Sequence, residues 1–127
     1  MKYEDVQDYI LFKDMFQARC ETICGLLTPL NDSYGYLHVF EILDNEVLGE
    51  GEEHLGCGEY DHYSQKFPSN FLWKDDEEIK QYVEDELKRR EQAKEAELLR
   101  VQKLRKEVQE KRDREEYERL KKKFEGI

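Results

Sequence analysis

The sequence predicts an α+β fold in which an N-terminal helix packs on a small antiparallel sheet of two or three strands and a long, charged C-terminal helix follows. Three observations predict it. Apolar residues near the start recur at three- and four-residue intervals, which is the period of one helix face. From Tyr34 the period drops to two, as in a strand with one covered face. No proline follows Pro68 and no glycine lies between Gly58 and Gly126, so nothing interrupts a helix through the last third of the chain.

Each element has its own signal. Residues 2–24 read as an amphipathic helix with Val6, Tyr9, Ile10, Phe12, Phe16, Cys20, Ile23 and Leu27 on its apolar side, and Gly25 offers a stop. Thr28-Pro29-Leu30-Asn31-Asp32-Ser33 is a turn cluster. The first strand is expected from Tyr34, with Tyr36, His38, Phe40 and Ile42 facing one way. Asp44-Asn45 then turns the chain into Glu46-Val47-Leu48. The Gly- and Glu-rich residues 49–58 suit a loop or a bulged edge strand. Residues 58–67 alternate again, with Tyr60, His62 and Ser64 opposite Glu59, Asp61 and Tyr63. Pro68 ends that strand, and Phe71, Leu72 and Trp73 are expected to pin the root of the long helix to the core. Asp75, Asp76, Glu77 and Glu78 sit where the helix dipole favours negative charge.

Two regions follow: a small acidic α+β body over residues 1–74 and a long charged helix over 75–127. Nearly all the aromatic residues lie in the first, which is close to the lower size limit for independent stability, so help from the helix or from a second copy is expected. Along the second, opposite charges recur four residues apart (Lys80/Glu84, Asp85/Arg89, Glu107/Lys111 and Glu118/Lys122 among them), each worth about 0.2–0.5 kcal/mol. Its apolar positions fall into short groups. The group Leu98, Val101, Leu104 and Val108 keeps three-four spacing, but Lys94, Glu97, Lys111 and Glu115 stand where a continuous seam would need apolar residues. Two readings stay open: a solvated helix laced with ion pairs, or a weak coiled coil that pairs two copies through those four residues.

Charge is divided as unevenly as the aromatics. The body holds 14 Asp and Glu against five Lys and Arg, while the whole chain is −10, so the helix is nearly neutral. Such a body repels phosphate backbones, which argues against direct nucleic-acid binding and for partners with basic surfaces. No stretch approaches the roughly 20 apolar residues of a membrane span, and the first residues do not form a signal peptide. The three cysteines, Cys20, Cys24 and Cys57, are odd in number and lack a framework spacing, pointing to free thiols in a reducing cytoplasm.

No catalytic residue, cofactor or metal is assigned from the sequence. His54, Cys57 and His62, with Glu59 and Asp61 between them, are the cluster closest to a metal site, but zinc wants four ligands at defined spacing and these supply three at none of them. A Cys57 pairing with His38 or His62 lacks any oxyanion motif. The densest chemistry is acidic. Asp44, Glu46, Glu50, Glu52, Glu53, Glu59 and Asp61, with Tyr60 and Tyr63, form the candidate partner-binding set. Tyr34 and Tyr36 are further aromatic anchors. A solvated charged face is the plainer reading of the same residues.

The run from Gly56-Cys57-Gly58-Glu59-Tyr60-Asp61 to Phe67-Pro68-Ser69-Asn70-Phe71-Leu72-Trp73, followed by an acidic helix start, resembles small uncharacterised accessory proteins of bacteriophages. In those, a short meander closes on a Phe-Pro-x-x-aromatic-Leu segment before a terminal helix. The resemblance implies a viral protein acting in the host-cell cytoplasm as an inhibitor of host defence or host nucleic-acid machinery, anti-CRISPR proteins among them. The acidic strand face would then act as a DNA mimic toward a basic host protein. The alternative is an adaptor whose long helix mediates assembly.

Overall fold

The computed structural model describes residues 1–126. The order is helix α1 (Tyr3–Leu27), a 3-10 turn (Asp32–Tyr36), strands β1 (Val39–Leu43), β2 (Glu46–Gly56) and β3 (Glu59–Pro68), a second 3-10 turn (Ser69–Leu72) and helix α2 (Asp76–Glu125). The three strands form one antiparallel sheet in the order β1-β2-β3. This is the α+β fold expected.

Helix α1 runs past Gly25, contrary to the expected stop. Leu27 is fully buried and completes the core face, and the Thr28 hydroxyl donates to the Gly25 carbonyl at 2.8 Å where the helix ends. Pro29 cannot carry the ladder further. The first strand also starts later than expected. Residues 32–36 coil because the Asn31 side chain caps the Ser33 amide at 3.0 Å and the Tyr34 hydroxyl donates to the Lys66 carbonyl at 2.9 Å. Tyr36 and His38 therefore precede β1.

The Gly-rich stretch is neither a loop nor an edge strand; β2 is the central strand of the sheet. Gly49 is buried under the Leu37 and Phe40 side chains and Gly51 under crossing backbone: a Cβ on Gly51 would stand 1.7 Å from the Tyr36 carbonyl oxygen. Strand glycines mark either irregularity or close approach, and these two mark close approach. The irregularity lies further on, where Leu55 is the extra residue between the His54–Tyr60 and Gly56–Glu59 pairs and Gly56, Cys57 and Gly58 all turn through positive φ.

Val47 and Phe67 carry the sheet's inner face into a core with Cys20, Ile23, Cys24 and Leu27 of α1, Leu37, Phe71, and Ile79 and Val83 of α2. Each such side chain contributes about 1.5–3 kcal/mol by leaving water. The Phe71 ring stacks on Phe67 at 6.3 Å and meets Tyr82 edge-on at 5.1 Å. Trp73, expected in this contact, is instead 74% exposed. The junction is held by Arg19, which donates to Asp76 at 2.5 Å and to the carbonyls of Phe71 and Lys74. Asp75 caps α2 by accepting from the Glu78 amide at 2.8 Å.

The chain divides into two compact units, Met1–Leu87 and Lys88–Ile127. The first extends past residue 74 because the opening turns of α2 bury Ile79 and Val83. In the second, α2 continues with Leu98, Leu104 and Val108 exposed and Val101 half-buried. Its ion contacts include Arg100–Glu97 and Arg119–Glu116 at i,i+3 and Lys121–Glu125 at i,i+4.

Candidate protein-interaction face

Strand pairing sorts the acidic residues. Directly opposed residues share a face, and faces alternate along each strand. Buried Val47, Gly49 and Gly51 mark the inner face of β2, so Glu46, Leu48, Glu50 and Glu52 point outward. The register sets Glu41 beside Leu48, Val39 and Ser64 beside Glu50, and His62 beside Glu52. Glu41, Glu46, Glu50 and Glu52 are all exposed on this outer face, and Tyr60 joins them beside His54.

The other candidates lie elsewhere. Glu53 and Asp61 are paired on the inner side, beyond the core, where the Tyr63 hydroxyl donates to Glu53 at 2.7 Å. That bond pushes the Tyr63 hydroxyl up to about 12. Tyr63 also stacks on Tyr36 at 4.5 Å, so both rings serve the fold. Asp44 sits in the β1–β2 turn, with φ of 32°, and Glu59 at the opposite end of the sheet. Of the nine residues expected to bind a partner, Glu46, Glu50, Glu52 and Tyr60 share one face. Glu41, absent from that set, joins them; the alternation from Phe40 to Ile42 set it on the opposite side of β1, and the β1–β2 register places that side beside Glu46 and Glu50.

Two side chains engage the carboxylates of the outer face. Lys66 reaches Glu46 at 3.7 Å, and His62 Nδ1 lies 3.3 Å from Glu52. Neither answers Glu41 or Glu50, and all four pair members are more than half exposed, so the attraction is weak and easily exchanged for an outside cation. Beside Glu50 and Glu52 lies a shallow depression of about 300 Å³ lined also by His38, Val39, His62 and Ser64. A guanidinium or ammonium group seated there would meet two carboxylates at once.

The metal and thiol candidates separate. His54 packs against Tyr60, His62 faces Glu52, and Cys57 stands in the β2–β3 turn; among the described residues no three metal-ligating groups cluster. His38 pairs with Glu50, six residues along β2 from Gly56, or roughly 20 Å from the Cys57 turn at strand rise. Cys20 and Cys24 are buried thiols pushed from 9.0 to about 12, first by desolvation. Among the described residues no helix is long and apolar enough to cross a membrane. Comparison with protein-family models, curated proteins and solved structures returns no match.

Proposed function

We propose that this chain is a non-enzymatic inhibitor of bacteriophage type that occupies a basic, nucleic-acid-handling surface of a host defence protein, such as a CRISPR effector, in the host cytoplasm. The reading rests on one observation above others: Glu41, Glu46, Glu50 and Glu52 stand exposed on one sheet face, with Lys66 beside Glu46, His62 beside Glu52, and His38 and Ser64 near Glu50. Carboxylates roughly 7 Å from their nearest neighbours on a rigid sheet, the separation that strand rise and diagonal pairing set, can replace phosphates against Lys and Arg side chains without the entropy cost of ordering a loop. Tyr60 supplies an aromatic contact at one end. The phage origin and the class of target are what the segment from Gly56 to Trp73 implies.

Competition tests it. A partner captured from host lysate by the full chain should be displaced by the nucleic acid that this partner binds, and by excess salt. Simultaneous binding of chain and nucleic acid to that partner would exclude the occlusion reading.

The second reading, an adaptor that assembles through α2, draws on Leu98, Leu104 and Val108 lying exposed along one stretch of a 50-residue helix, with Val101 between them. If it holds, Leu104→Glu abolishes function while Glu50→Lys leaves it intact; the inhibitor reading expects the reverse.

A further inference from the structure

Helix α1 is longer than the core it serves. At 3.6 residues per turn, Val6, Tyr9, Phe12 and Phe16 lie on the side of α1 that carries Cys20, Ile23, Cys24 and Leu27 inward. Only the second group is buried. Phe16 is half-covered, while Tyr9 is 64% and Phe12 59% exposed, and Tyr3 and Ile10 flank them in the open. Four large apolar groups thus continue the core stripe past the body with two more at its edge, and Leu11 and Met15 are also exposed around the same stretch of helix. Monomeric surfaces scatter such residues singly; a contiguous row of them marks an interface.

We infer that this half of α1 pairs with the same half of a second copy, antiparallel, about a two-fold axis at Tyr9. The charges select that arrangement. A parallel pair would set Asp5 beside Asp5 and Lys13 beside Lys13. The antiparallel pair centred on Tyr9 brings Lys13 level with Asp5 of the second copy and Val6 level with Phe12, each contact occurring twice by symmetry. Phe16 meets the aliphatic stem of the second copy's Lys2, and that copy's Tyr3 comes level with Met15, beside a groove lined by Phe12, Met15, Phe16, Arg19 and Leu72. Six side chains burying roughly 80 Å² each on both copies give on the order of 1,000 Å², the lower edge of stable interfaces. The dimer is therefore weak, in the micromolar range or above.

The test uses the full chain. Sedimentation of the wild type should show reversible dimerisation that Tyr9→Glu with Phe12→Glu weakens at least tenfold, while Leu104→Glu in α2 leaves it unchanged. In a Cys57→Ser background, Tyr9→Cys should form an intermolecular disulfide with oxidised glutathione, and Glu4→Cys, on the opposite side of α1, should not. Both helix variants alter exposed residues, so circular dichroism should show the wild-type fold. A monomer at every concentration up to ~500 µM, at which a dimer of this size would be seen, overturns the inference. So does a dimer lost to Leu104→Glu but not to the α1 variants, or equal crosslinking at positions 4 and 9.

Discussion

Arg19 ties three elements of this fold together. Its guanidinium reaches the Asp76 carboxylate and two carbonyls at the one place where α1, the second 3-10 turn and the start of α2 converge. Arg19→Ala should destabilise the full chain by about 2 kcal/mol, since it strips partners from carbonyls in a part-buried setting, whereas Asp76→Asn, at a half-exposed carboxylate, should cost well under half as much; urea denaturation separates the two. The buried thiols set the alkaline limit. Below pH 9 Cys20 and Cys24 are protonated in folded and unfolded chains alike. Above it the unfolded chain releases protons that the folded chain holds until about pH 12, so stability should fall from about pH 9 upward. Tyr63, raised from 10.0 to about 12 by its bond to Glu53, adds to the loss from about pH 10 upward. Cys57, exposed in its turn, should take up an alkylating reagent at pH 8 while Cys20 and Cys24 react only in denaturant.

At the scale of the element, β2 shows what the chain's pattern could and could not disclose. Its glycines were visible, but a glycine that loosens a strand and one that lets another segment cross it look alike in sequence. Gly51→Ala should cost about 3 kcal/mol because the new methyl meets the Tyr36 backbone, whereas Gly49→Ala meets the movable side chains of Leu37 and Phe40 and should cost about 1 kcal/mol. Thermal unfolding of the two variants checks the order. Helix α1 shows the same limit from the other side: three-four spacing identified its apolar face correctly, yet nothing in the periodicity of Val6, Tyr9 and Phe12 tells whether anything covers them. Strand β3 was legible from alternation, β1 only from Val39 onward because the alternation of residues 34–38 belongs to a 3-10 turn and the link after it, and α2 from its charge pattern and lack of breakers. The candidate face was half legible. The acidic run could be read, but which of Glu52 and Glu53 faces outward depends on a pairing register that only long-range contacts fix.

For the whole molecule, the decisive property is that negative charge is concentrated in the first unit, with 21 Asp and Glu against six Lys and Arg, while residues 88–127 are net basic, with 10 against 15. Long-range attraction to a basic partner then originates in the sheet-bearing unit, and association should be fast and salt-dependent. Reversing three outer-face charges, at roughly 1 kcal/mol for each partly screened contact, corresponds to about a hundredfold loss of affinity. The most direct measurement is the affinity of the wild type and of the Glu46→Lys, Glu50→Lys, Glu52→Lys variant for the basic partner recovered from host lysate, at about 50 and about 500 mM salt. The wild type should weaken at least tenfold with salt, and the variant should bind about a hundredfold more weakly at low salt. Equal affinity of the two proteins, unmoved by salt, would contradict docking through the outer sheet face.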